Sequence, residues 1–205
     1  MSARSLVVLS AGVSQPSSTR MLADRLAAAT VEALAARGVP TEVTNVELRG
    51  LAHDVVDMTF TGYARPDLAA AQRALAEADG VIAVAPVYAA SYSGMFKSFL
   101  DVLDPDALHG TPVLIGATGG TSRHSLALEH AMRPLFVHLH ADVVPTSVFA
   151  ATDDWADGGG DDVAPLPDRL LRAGTELAER VAARETRSRG GLFDGVPSFE
   201  DLLGG

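Results

Sequence analysis

Short, unbroken apolar runs separated by helical stripes constrain this chain more than any other feature. Leu6-Val7-Val8-Leu9 offers nothing polar to either side of its pleat, and Val81-Ile82-Ala83-Val84-Ala85 repeats the pattern. A strand with one wet face alternates apolar and polar residues, whereas an unbroken run belongs to a strand covered on both faces, as in parallel sheets. Such sheets need a crossover between consecutive strands, and the intervening segments supply it. From about Ser18 to Arg37, Leu22, Leu26 and Ala29 with Ala23, Ala27 and Leu34 make one helical stripe, stopped by Gly38 and Pro40. From Pro66 the stripe is Leu68, Ala71, Leu75 and Ala78, closed by Gly80.

The pattern continues to the end of the regular region. Thr41 to Leu48 alternates Val43 and Val46 among polar residues, as a peripheral strand does, while residues 49–63 have no clear period. A loop over 86–93 precedes a helix carrying Met95, Phe96, Phe99, Leu100 and Leu103. Pro112 to Ala117 is the fourth strand, followed by a helix over about Ser122 to Leu139, a strand near Val143 to Phe149, and a helix over about Asp168 to Arg184. Five strands alternating with helices predict a doubly wound α/β sheet with right-handed crossovers and the flavodoxin-like order 2-1-3-4-5. The 205 residues suit one such domain, placed at residues 1–184. Asp153 to Pro167 reads as a solvated loop, Glu185 to Gly191 as a linker, and the remainder of 185–205 as an apolar tail.

Composition closes off several functions. A net charge of −10 disfavours nucleic acid and anionic membranes, and no segment approaches the ~20 apolar residues of a membrane span. The start MSARSLVVLS has too short an apolar run for a signal peptide, so the expected location is cytoplasmic. The chain has no cysteine, which removes disulfides and thiol chemistry and leaves redox work to a borrowed cofactor. His138 and His140 diverge at i, i+2 spacing on a helix, no H-E-x-x-H occurs, and no metal site is expected. A G-x-S-x-G elbow, a P-loop and a G-x-G-x-x-G fingerprint are all missing.

In open α/β sheets ligands bind outside the carboxyl ends of the strands, so three loops matter most. The first, Ser10 to Arg20, puts hydroxyls and one glycine ahead of a helix, where free N–H groups and the dipole suit a phosphate; capping by Ser17 or Ser18 is the plain alternative. The second, Pro86 to Gly94, sets small residues and backbone beside Tyr88, suiting a flat ring; a helix entry capped by Ser91 or Ser93 is the alternative. The third, Thr118 to Ser122, carries Gly119-Gly120, which allow close approach of a ligand or simply make a turn.

Pro86-Val87-Tyr88 through Ser91-Tyr92-Ser93-Gly94, with Lys97 and Asp101, and then Ala117-Thr118-Gly119-Gly120 with His124, closely resemble the NADPH-dependent FMN reductases. The similarity runs from Ser5 to about Phe149 and is greatest to reductases that supply reduced flavin to luciferase-like or alkanesulfonate monooxygenases. The resemblance implies that Ser10, Ser17, Ser18 and Thr19 hold the flavin phosphate. It assigns Pro86, Val87, Tyr88 and Ser91 to the isoalloxazine side, and Thr118, Gly119 and Gly120 to the ring edge. Many relatives carry an arginine three residues after the first-loop serine; here Val13 stands there, leaving hydroxyls, amides and Arg20 as candidates for the phosphate.

The implied reaction moves a hydride from NADPH or NADH to FMN and needs no acid, base or nucleophile from the chain, so no catalytic residue is assigned. A quinone or azo-dye reductase on the same fold, or a flavodoxin-type electron carrier that turns over no nicotinamide, are the rival readings. A homodimer or homotetramer is expected, both from the relatives and from Leu128, Met132, Leu135, Phe136 and Leu139 on one helix. Pro134 in that helix predicts a kink or a π-bulge, making His130 a candidate for gating or assembly. The tail residues Leu192, Phe193, Val196, Phe199, Leu202 and Leu203 are expected to pack on a neighbouring subunit or on the partner monooxygenase.

Overall fold

The structure, a computed structural model, describes residues 3–155 and 164–184; the linker and apolar tail expected over 185–205 lie outside the described residues. Strands β1 (Arg4–Ser10), β2 (Thr41–Glu47) and β3 (Gly80–Tyr88) are joined through helices α1 (Ser18–Ala36), α2 (Leu48–Thr61) and α3 (Pro66–Ala76). A two-residue strand β4 (Ser91–Tyr92) turns back on β3 before helix α4 (Gly94–Asp101) and strand β5 (Pro112–Gly119). A 3-10 turn at Ser122–His124, a π-helix at Leu128–Met132 and helix α5 (Arg133–His138) follow, then β6 (Asp142–Val143), β7 (Val148–Ala151) and α6 (Leu166–Ala183).

The sheet runs β2-β1-β3-β5, with β6 and β7 both beside β5, and all these pairs are parallel. This is the expected order with the fifth strand in two pieces. Alternation along each central strand divides the core into two layers. Leu6, Val8, Ile82, Val84 and Leu114 face α1 and α6, whereas Val7, Leu9, Val81, Ala83, Val113 and Ile115 face α2 to α5. Each fully buried Leu, Val or Phe contributes about 1.5–3 kcal/mol before conformational entropy is charged against it, so both faces must be covered for the sheet to stand. Among the described residues no helix is long and apolar enough to cross a membrane.

Four expectations need correction. Residues 49–63 are mostly helical, because Leu48, Leu51, Val55 and Met58 recur at helical spacing on the core side; exposed Val56 and Phe60 on the same helix blur that period. The segment after Ser122 is not one α-helix. Pro134 has no N–H for the carbonyl of His130, and the Arg133 N–H reaches back five residues to Leu128, which is the expected π-turn. The last strand breaks at Pro145, and side chains hold the connection instead. Arg133 donates to the carbonyls of Val144 and Pro145, both at 3.0 Å, and Glu176 accepts from the backbone and hydroxyl of Thr146 at 2.8 and 2.7 Å. Finally, Pro86 to Tyr88 continue β3 rather than opening a loop.

Candidate functional site

The first loop leaves β1 at Ser10, which is buried and lies between Val84 of β3 and Glu47 of β2 in the register. The Ala11 N–H donates to the Val84 carbonyl at 3.0 Å, so the chain stays against β3 before turning away. Ser17 is the N-cap of α1. Its backbone is extended, its Oγ accepts from the Arg20 N–H at 3.2 Å, and its carbonyl accepts from the Met21 N–H at 3.0 Å. The Ser17 carbonyl thus takes the first intrahelical bond, and its Oγ satisfies the Arg20 N–H, one of the four N–H groups that a helix start leaves without an intrahelical partner. Ser18 and Thr19 thus present their N–H groups at the positive end of a 19-residue helix with no acidic residue in its first turn. Gly12 packs so closely on Ser17 that a Cβ there would collide with the Ser17 Oγ.

The second loop is a hairpin of an unusual kind. Tyr88 of β3 pairs with Ser91 of β4, leaving Ala89 and Ala90 as a two-residue turn with φ of 47° and 67°. Positive φ at both turn positions defines the type I′ geometry that Asn-Gly normally supplies, and here two alanines hold it. Val87 pairs with Tyr92, whose ring lies 5.8 Å from Phe96; Phe96 in turn lies 6.1 Å from Phe136. The hairpin is therefore anchored through α4 to α5. Its own outer residue is open, with Tyr88 51% exposed and Ser91 half-buried. Ser93, not Ser91, caps the following helix, accepting from the Phe96 N–H at 3.4 Å.

The third loop follows β5. Pro86 of β3 lies beside Thr118 in the register, both buried, and the Thr118 and Thr19 hydroxyls are 2.9 Å apart. That buried bond links the first loop to the third across β3, and because each hydroxyl has one proton, one of the two protons remains to be donated elsewhere. Gly119 lies against Phe149, where a Cβ would come within 2.9 Å of the ring. Gly120 has open space where a Cβ would sit.

The three loops thus meet at one end of adjacent central strands, with Ser10, Thr19 and Thr118 buried beneath them and Ser18, Tyr88 and Gly120 exposed above. Of the phosphate candidates, Ser18 exposes its hydroxyl and Ser17 is half-buried. Arg20 is occupied: it pairs with Asp24 at 2.7 Å and with Glu47. Lys97 pairs with Asp101 one turn along α4. Among the described residues no group of three metal-ligating side chains occurs; the His140 ring lies near that of His109, with centroids 5.5 Å apart and planes tilted by 45°. Leu128, Met132, Phe136 and Leu139 are buried in this chain's own core and Leu135 packs partly against it, so they offer no free face to a second subunit. The exposed apolar residues of that region are Leu126 and Val137.

Sequence reading missed the alanine turn, since neither Gly nor Asn announces it. It also missed a cavity of about 520 Å³ beside the first loop, lined in part by Gly12, Ser17, Glu47 and Arg49. Arg49 falls in the stretch without a legible period.

Comparison with known proteins points the same way. A family model described as NADPH-dependent FMN reductase matches residues 5–156. The chain is 38% identical over 152 residues to the NADH-dependent FMN reductase SfnF of Pseudomonas fluorescens, covering 74% of this chain and 79% of that protein. It is 35% identical over 150 residues to an FMN reductase (NADPH) of Pseudomonas aeruginosa, covering 73% and 78%. The crystal structure of an oxidoreductase from Corynebacterium diphtheriae superposes with a TM-score of 0.84 at 44% identity, covering 89% of this chain and 99% of that one.

Proposed function

The chain belongs to the NADPH-dependent FMN reductase family, and from that premise we propose that it uses the three-loop site to reduce FMN with a nicotinamide nucleotide and release the product to a flavin-dependent monooxygenase. It is an oxidoreductase with FMN and NAD(P)H as its cofactors. The observation that carries the site is the Thr19–Thr118 hydrogen bond, which fixes the first and third loops on either side of the end of β3.

The residues present fit FMN. A phosphate finds the N–H groups of Ser18 and Thr19, the helix dipole, and the hydroxyls of Ser17 and Ser18. Arg20 contributes less than the sequence suggested, because two carboxylates already hold its guanidinium. Tyr88 and the hairpin backbone offer a surface for a flat ring, and the space at Gly120 leaves room at its edge. Buried Ser10 and Thr19 support the loop from beneath, Thr19 adding its backbone N–H.

When bound, FMN supplies the hydride-accepting chemistry, and the chain supplies orientation. Backbone donors already in place in the first and third loops need little reorganisation during turnover. The exposure of Tyr88 supports a flavin that enters and leaves, as delivery to a second protein requires. The relatives' names divide between NADH and NADPH, and the nicotinamide preference is a matter for the same test.

Anaerobic mixing of the full chain with FMN and either nucleotide should bleach the flavin with stoichiometric nicotinamide oxidation. Tight FMN binding without nicotinamide oxidation would make the protein an electron carrier. Faster turnover of quinones or azo dyes than of free FMN would make the flavin a resident group instead of a product.

A further inference from the structure

We propose that the outward face of α2 is the surface by which two copies of this chain associate, the two helices lying antiparallel about a two-fold axis. A surface helix needs one apolar stripe, and α2 carries apolar residues on two sides. Leu48, Leu51, Val55 and Met58 face the core. On the opposite side Val56 is 49% exposed, Phe60 is 85% exposed, and Tyr63, just past the C-cap Gly62, is 70% exposed. Phe60 and Tyr63 together leave roughly 300 Å² of aromatic side chain in water, at about 200 Å² for each ring. Apolar patches of that size mark interaction sites, and the two rings alone amount to more than a third of the ~800 Å² that each partner buries in a stable interface.

The spacing of this face identifies its occupant. Arg49, His53, Val56 and Phe60 recur at intervals of four, three and four, the a/d spacing of a seam that packs against another helix, and all four are exposed. A second copy complements this seam in one direction only. Parallel helices would set Arg49 against Arg49. Antiparallel helices, with the axis between positions 56 and 60, set Val56 against the second copy's Phe60, twice by symmetry, and His53 against its Tyr63. The Arg49 side chains then fall at opposite ends of the seam, apart from each other and in water.

The surroundings of the seam can leave water without stranding a polar group. Gly50, Ala52 and Thr59 flank it, and small flanking residues let two helices approach closely. The hydroxyls of Thr59 and Thr61 already donate to the carbonyls of Val55 and Asp57, at 2.9 and 2.8 Å, so burial leaves neither donor unpaired. Asp57, at the edge of the seam, pairs with Arg65 at 2.6 Å, so a second copy meets no lone carboxylate there. None of the residues assigned to the flavin lies on α2, and association leaves the three loops to their ligand. The helix that the sequence offered for assembly has Met132 and Phe136 buried in its own core, which leaves that role to α2.

The test is light scattering of the full chain, wild type against Phe60→Glu, together with cross-linking of a Val56→Cys variant by a short bis-maleimide. The chain has no cysteine of its own, so every linked pair reports position 56. The expected result is that Phe60→Glu halves the mass at micromolar concentration, its dissociation constant raised at least tenfold, while FMN binding is unchanged. Val56→Cys should link two copies, and Val137→Cys, at an exposed valine of α5, should not. If Phe60→Glu fails to fold, the cross-linking decides alone. A monomeric wild type overturns the inference, as does a folded Phe60→Glu of unchanged mass, or linking at position 137 equal to that at 56. Phe60→Glu that keeps its mass and loses coupling to a flavin-dependent monooxygenase assigns the face to that partner and overturns it as well.

Discussion

Replacing Ala89-Ala90 by Asn-Gly should stabilise the protein. Both alanines sit in the left-handed region, at φ of 47° and 67°, where an ordinary L-residue costs about 1–2 kcal/mol against the right-handed alternative. Asparagine tolerates this region through its short polar side chain, recovering about 1 kcal/mol at position 89. Glycine removes the whole penalty at position 90, but its unfolded chain is freer than that of alanine by about 0.4–1 kcal/mol, so the gain there is about half the penalty. The two changes together should add about 1.5 kcal/mol. For a chain of this length, 1 kcal/mol moves the thermal midpoint by roughly 2–4 °C, so a rise of about 3–6 °C is expected by circular dichroism. Ala90→Val, with a branched Cβ at the same φ, should shift the midpoint the other way. If Asn-Gly leaves the midpoint unchanged or lowers it while Ala90→Val is neutral, the turn is not strained as described. Strain of this kind concentrates at ligand-binding loops, and Tyr88, proposed above to face the flavin ring, adjoins this turn.

The connection between β6 and β7 predicts acid sensitivity. The Arg133 hydrogen bond, aided by Ser147 and opposed by burial, holds Glu129 below its ordinary value of 4.5. Burial raises Glu176, but the Thr146 and Arg172 bonds outweigh it and leave that carboxyl below 4.5 as well. Depressed folded-state values mean stability that is complete above 4.5 and is lost as the pH falls through the lower folded values; urea midpoints should decline there, and the Glu129→Gln, Glu176→Gln pair should flatten the decline. An unaltered slope in that pair would remove the assignment. Light scattering at micromolar concentration should give a dimer or tetramer, and a monomer would refute this. Truncation after Arg189 should leave FMN binding nearly intact, because Arg184 is held at the opposite end of the sheet, donating to Ala78 and Thr111. It should reduce oligomeric mass or coupling to a monooxygenase, and retention of both would deny the tail that role.

The parallel sheet was legible because Leu6 to Leu9 and Val81 to Ala85 are buried on both faces, and burial writes itself into composition without help from neighbours. Helix α2 was harder to read: its stripe of Leu48, Leu51, Val55 and Met58 competes with Val56 and Phe60, which the chain leaves exposed. Pro134 announced an irregularity but not its length, since the π-turn is set by where Arg133 finds a carbonyl. The positions of the three loops followed from the alternation of elements. Their side-chain directions did not: nothing in the sequence shows that the Thr19 hydroxyl is buried and hydrogen-bonded to that of Thr118, a residue 99 positions away. Arg20 likewise reads as a free cation until Asp24 and Glu47 are seen to hold it.

The claim that the first loop cradles the flavin phosphate is tested most directly by comparing FMN with riboflavin, which lacks the phosphate, in wild type and in a Ser17→Ala, Ser18→Ala variant. Losing the Ser17 cap costs about 1 kcal/mol of stability, so the titrations belong well below the unfolding midpoint. Hydrogen bonds to a charged group are worth about 1.5–3 kcal/mol before water compensates, and the retained N–H groups of Ser18 and Thr19 keep part of the site. The account predicts FMN weakened several-fold, with riboflavin changed much less. Equal losses for the two ligands would contradict it.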